Sequence, residues 1–120
     1  MATEDIFQFS DSNFQNVVLK SKIPVLVEFW TPDGGPCRAF APVFEELSTE
    51  YKGKVLFGKV NAYECPGLCA EFRITSVPTI LLLEEGITQS KFIGLRSAEA
   101  IRDMISKFFT KKEEAKADEQ

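Results

Sequence analysis

The segment that most restricts the fold is Val25-Leu26-Val27-Glu28-Phe29-Trp30, which follows Pro24. Its side chains are apolar, β-branched or aromatic on both alternating faces, with one acid among them. Such a run reads as a strand buried on both sides, in the middle of a sheet. The next six residues, Thr31-Pro32-Asp33-Gly34-Gly35-Pro36, are dense in turn formers, and Pro36 suits a first helical turn, where its missing N–H costs nothing. A helix follows at once, with Cys37, Phe40, Phe44 and Leu47 on its apolar face. It is expected to end near Tyr51-Lys52-Gly53, with a kink at Pro42.

Around this unit the chain alternates. Ile6 to Phe9 reads as a strand, and Ser10 or Asp11 offers an N-cap for a short helix bearing Phe14, Val17 and Val18. Val55 to Val60 is a further strand, and Cys65-Pro66-Gly67 starts a short helix reaching about Phe72. Thr79 to Leu83 and Gln89 to Ile93 flank Glu84-Glu85-Gly86 as an antiparallel hairpin. Ser97 caps a last helix whose Ile101, Met104, Ile105 and Phe108 recur at helical spacing. Residues 110–120 hold too little apolar surface to fold alone, so a domain over 1–109 and a charged, disordered tail are expected. The order β-α-β-α-β-α-β-β-α implies an α/β fold with a mixed central sheet and helices on both faces.

Composition narrows the chemistry. A chain of 120 residues that is 44% hydrophobic and 27% charged fits one globular domain and can bury a core without disulfide staples. It contains no histidine, which excludes Ser-His-Asp and Cys-His nucleophile pairs and imidazole metal ligands. A net charge of -4 and the lack of a basic stripe argue against nucleic acid as a partner. Residues Met1 to Asp5 are polar and acidic, unlike a secretory signal, and no apolar run approaches membrane-spanning length. The expectation is therefore a cytoplasmic monomer with no membrane partner, no cofactor and no metal. The three cysteines Cys37, Cys65 and Cys69 would be reduced in that compartment, and they lack the fourth ligand and the spacing of a zinc site.

The stretch Val25 to Phe44, with Ser76-Val77-Pro78-Thr79 and Gly94 at matching distances, resembles the thioredoxin family from about Ile6 to Phe109. The resemblance implies a thioredoxin-like fold and thiol–disulfide exchange with protein or peptide thiols and disulfides held in an extended conformation. A thioredoxin reductase or glutathione would then be a partner. Where the family carries Trp-Cys-Gly-Pro-Cys, this chain reads Asp33-Gly34-Gly35-Pro36-Cys37. Gly34 stands at the position of the attacking cysteine, so a mixed disulfide cannot start there, and Cys37 matches the resolving cysteine. Cys37 is the catalytic candidate. A first helical turn favours its thiolate, whereas shielding and the charge of Asp33 disfavour it, and both readings are open.

Glu28 matches the family's buried acid, which shuttles a proton for the resolving thiol; a carboxylate reaching solvent or pairing with Lys59 is the other reading. The resemblance makes Val77-Pro78 a cis bond that bares the backbone of Val77 to an extended partner. Trp30, Asp33, Gly35, Pro36 and Gly94 would line the same groove, with Asp33 steering it toward basic partners. Cys65 and Cys69, four apart on a short helix, are either two semi-buried thiols, or a secondary redox pair, or a resolving partner for Cys37. From a different class, the intact groove would serve a non-enzymatic module that binds polypeptide as a chaperone or complex subunit.

Overall fold

The computed structural model describes residues 5–118. Its elements run β1 (Ile6–Phe9), α1 (Phe14–Lys20), β2 (Val25–Trp30), α2 (Gly35–Glu50), β3 (Leu56–Asn61), α3 (Pro66–Glu71), β4 (Thr79–Glu84), β5 (Ile87–Ile93) and α4 (Ala98–Asp118). They form one five-stranded sheet in the order β1-β3-β2-β4-β5. β1, β3 and β2 are parallel, and β4 and β5 are antiparallel to their neighbours. The mixed α/β sheet is the one the alternation predicts. β2 is central, and Val25 to Phe29 are all buried.

Alternation along β2 sorts its side chains between two cores. Leu26 joins Phe40, Phe44 and Leu47 of α2 and Ile101, Met104, Ile105 and Phe108 of α4 on one face. Val25, Val27 and Phe29 join Phe14 and Val18 of α1, Leu68 of α3 and Cys65 just before it on the other. Because side chains two apart share a face, Glu28 and Trp30 point with Leu26 toward α2.

Tight approach decides one strand position. An ideal Cβ on Gly58, mid-β3, would stand 2.1 Å from Cε2 of Phe9, which is itself buried. Gly58→Ala is expected to cost about 2 kcal/mol through overpacking, read as a lowered denaturation midpoint at unchanged m-value. The β4–β5 turn uses Glu85 and Gly86, both at positive φ (52° and 81°), the pattern of a two-residue type I′ turn.

Two local expectations differ. α1 is not capped by the Asp11 side chain; Asn13 occupies its N-cap position, and the Ser10 hydroxyl accepts from the Asn13 N–H. Asp11 instead reaches across to α3, where its carboxylate accepts from the N–H groups of Gly67 (3.2 Å) and Leu68 (3.0 Å). α3 has no cap from its own N-cap residue, so a distant acid satisfies its orphan donors. Asp11→Ala should cost about 1 kcal/mol, with faster amide hydrogen exchange in residues 66–71 as the local readout.

The second difference is the tail. α4 continues helical to Asp118, beyond the boundary expected at Phe109. Ile101, Met104, Ile105 and Phe108 pack it on the sheet, so nucleation is already met when the helix reaches Thr110. Strong helix formers follow, and Lys112 pairs with Glu84 at the end of β4. The remaining expected tail residues, 119–120, lie outside the described residues, as does the amino-terminal segment 1–4. Ser97 caps α4 as expected, its hydroxyl accepting from the Ala100 N–H at 3.1 Å.

Candidate functional site

Parallel strands β2 and β3 pair to their last residues, Trp30 opposite Asn61. The segments leaving them, Thr31 to Gly34 and Ala62 to Tyr63, therefore emerge side by side at one edge of the sheet, and the Ala62 N–H donates to the Trp30 carbonyl. Gly34 is the N-cap of α2 in extended conformation (φ -77°, ψ 118°), and Pro36 lies in the first turn. That turn carries Cys37, which faces inward and is 4% exposed.

Gly34 lies directly over the thiol. An ideal Cβ built on it would be 3.0 Å from Cys37 Sγ and 3.0 Å from the Thr31 hydroxyl, whereas one on Gly35 meets nothing within 4 Å. Burial pushes the Cys37 thiol above its ordinary range, the nearby Glu28 pushes it further, and the Thr31 backbone works the other way. Burial thus acts against the thiolate that a first helical turn favours.

Glu28 is fully buried, and neither carboxylate oxygen has a hydrogen-bond partner among the described residues. Burial raises its pKa to about 7, with Lys59 opposing the shift. Lys59 is its register partner on β3, but its ammonium sits over the Trp30 ring, 4.5 Å from the centroid. Trp30 is half-buried, and its indole N–H is likewise without a partner.

The opposite wall comes from the loop before β4. The Val77-Pro78 bond is cis, and the Pro78 carbonyl accepts from the N–H of Gly94, which has a φ of 95° that favours glycine. Neither the N–H nor the C=O of Val77 has a partner among the described residues. Exposed Ile93 and Leu95 flank Gly94.

Asp33 is exposed and does not stand alone. Both its carboxylate oxygens accept the Tyr63 hydroxyl, at 2.8 and 2.9 Å. That bond holds the Asp33 carboxyl below its ordinary range and pushes the Tyr63 hydroxyl up. Sequence reasoning passed over Tyr63 and Thr31. The signal for both was the parallel pairing of β2 with β3, which puts the residues after Trp30 and Asn61 together.

Cys65 and Cys69 lie elsewhere. Cys65 is buried at the N-cap of α3, its Sγ directed at the Phe9 carbonyl; Cys69 is half-buried, its Sγ directed at the Ala62 carbonyl. Both are free thiols, and burial together with Asp11 raises both. They belong to the core on the α1–α3 face, across the sheet from α2.

A shielded cysteine in the first turn of a helix leaving a central strand, a buried acid on the same strand and a cis-proline loop alongside its end make up the candidate site. The thioredoxin family model matches residues 5–107. The chain is 42% identical over 98 residues to the thioredoxin of Rickettsia felis, covering 82% of this chain and 93% of that protein. It is 37% identical over 109 residues to the chloroplastic M-type thioredoxin of Spinacia oleracea, covering 91% of this chain and 60% of that one. With the M-type protein of Chlamydomonas reinhardtii it shares 41% over 99 residues, 82% and 71% of the two. The chain belongs to the thioredoxin family. It spans about 60% of the length of the spinach relative, and no helix among the described residues is long and apolar enough to cross a membrane.

Proposed function

We propose that this chain carries out thiol–disulfide exchange as a monothiol, through Cys37. The observation that carries the reading is the fully buried, unpartnered Glu28 on the α2 face of β2, close to a thiol that its own helix does not ionise. A carboxylate that titrates near 7 is matched to taking and returning the proton of a raised thiol at neutral pH. Ionised Cys37 attacks a disulfide, forms a mixed disulfide and releases a thiol, which receives the proton from Glu28.

Gly34 supplies no internal attacker to reverse that step, and Cys65 and Cys69 stand across the sheet. An external thiol, glutathione or a protein cysteine, therefore closes the cycle. The bare backbone of Val77 supports docking of a partner as an added strand, with Asp33, held ionised by Tyr63, at the rim. Cys65 and Cys69 are assigned as core thiols rather than a redox pair. The work is assigned to a reducing compartment, such as the cytoplasm, where the three free thiols persist.

The test is a single turnover of the reduced chain with a disulfide substrate and no other thiol. The mixed disulfide on Cys37 should persist and break down only when an external monothiol is added. A mixed disulfide that breaks down without added thiol, leaving an internal disulfide, would mean that the chain resolves its own intermediate, and the monothiol reading would fail.

A further inference from the structure

Charge at the end of the sheet remote from Cys37 does not follow the rest of the chain. β4 runs antiparallel to β2, so its last residue, Glu84, lies by the start of β2, away from the Trp30 end that leads to Cys37. Two hollows meet there, both lined by Glu84 and Lys112, whose ion pair is the saddle between them. The larger is an open groove of about 780 Å³ between the edge strand β5 and the outer half of α4. The smaller, of about 350 Å³, lies against the end of α1. Six lysines and three acids line the pair, although acids outnumber bases by 18 to 14 in the whole chain.

Internal pairing leaves much of that charge uncompensated. Lys107 pairs with Asp103, and Lys112 with Glu84. Lys20, Lys22, Lys91 and Lys111 are exposed and make no ion pair among the described residues. A positive face on a protein of net charge -4 selects an anionic partner. The most buried residues lining the groove are apolar: Met104 and Phe108 of α4, with half-buried Phe92 of β5, form its floor. The continuation of α4 past Thr110 builds the outer wall, through Lys111, Lys112 and Ala115.

We propose that this groove docks an acidic segment of a partner protein. Large apolar side chains of that segment sit on Phe92, Met104 and Phe108, and its carboxylates meet the surrounding lysines. Other occupants fit less well. The apolar residues lie at the bottom of a groove, where a flat lipid surface does not reach them. A nucleic acid brings phosphates but no apolar side chain for the floor. A second copy meeting through the same face would set one positive hollow against another. A strand added to the β5 edge would meet Lys91 and the register shift opposite Leu82 and Leu83, both of which discourage edge pairing. Docking therefore runs through side chains, on a face separate from Cys37, and holds whether or not exchange there is monothiol.

The probe is a fluorescein-labelled peptide carrying Leu and Phe among Glu and Asp residues, titrated against the full chain by anisotropy. One control peptide has Ser in place of Leu and Phe, and another has Lys in place of Glu and Asp. The acidic apolar peptide is expected to bind about tenfold more tightly than either control, with backbone amide shifts centred on β5 and α4. Lys22→Gln with Lys111→Gln, which keeps a good helix former at position 111, should weaken it about fivefold and flatten its salt dependence, with exchange at Cys37 unchanged. Failure of the acidic peptide to bind, equal binding of the Ser control, shifts centred on the Cys37 loop, or an unmoved affinity in the double variant at an unchanged melting profile would each overturn the proposal. Retention on phosphatidylserine vesicles without binding of the peptide would assign the face to a lipid surface and overturn it as well.

Discussion

Gly34→Cys should convert the chain into a dithiol reductase, with turnover of a protein disulfide raised on the order of 100-fold or more over the parent at pH 7. The geometry for this is in place. The 3.0 Å between an ideal Cβ at position 34 and Cys37 Sγ is about the distance from a Cβ to the far sulfur of a disulfide, given an S–S bond of about 2.05 Å. Gly34 already has the extended backbone of an N-cap, with a negative φ that any residue adopts, so the new side chain meets no backbone strain.

The new thiol would be half-exposed at the N-terminus of a helix, where the N–H groups and the macrodipole favour thiolate. Asp33 opposes that by its charge, and Gly34→Cys with Asp33→Asn should therefore be faster still. Cys37 would then do by proximity what an external thiol must otherwise do. A Gly34→Cys chain no faster than the parent would show that the scaffold lacks more than a sulfur.

The second large effect concerns Glu28, where activity and stability should move in opposite directions. Its pKa in the fold is about 7 against an ordinary 4.5. A raised carboxyl favours the fold while both states are protonated, below about pH 4.5. That advantage is lost as pH climbs to 7, because the unfolded chain ionises freely and the folded chain must ionise a buried group. The displacement corresponds to on the order of 3 kcal/mol. Glu28→Gln should thus match the parent near pH 4 and exceed it by about 3 kcal/mol at pH 8. The same change should slow exchange at pH 7 by about 100-fold, the usual scale of a general base. Equal stability gains at pH 4 and pH 8 would show that the carboxylate is not held un-ionised by burial.

Much of this was legible in the sequence because it depends on near neighbours. The apolar run from Val25 to Trp30, the turn formers before Pro36, the Ser97 cap and the Glu85-Gly86 turn each state their structure within a few residues. The position of Cys37 in a first turn and the lack of a side chain at Gly34 were equally plain. What escaped depends on distant contacts. Asp11 looks like a cap for the helix that follows it, yet the parallel pairing of β1 with β3 carries it to the start of α3, 56 residues away. Tyr63 carries no motif, and only the adjacency of the ends of β2 and β3 brings it to Asp33. The tail past Phe109 has no apolar face, so composition marks it as unfolded, but a packed helix before it and Glu84 beside Lys112 let it continue. The ionisation of Cys37 was undecided for the same reason: helix terminus and burial pull oppositely, and only the fold gives the burial.

Exchange at Cys37 alone is the reading most open to direct test. Its most direct measurement is to quench the chain with acid during turnover and map the disulfide-linked peptides, in parallel with the rate of Cys37→Ser. The expected result is a mixed disulfide on Cys37, none on Cys65 or Cys69, and no turnover above background in Cys37→Ser. Turnover that survives Cys37→Ser, or a mixed disulfide that accumulates on Cys65 or Cys69, would contradict it.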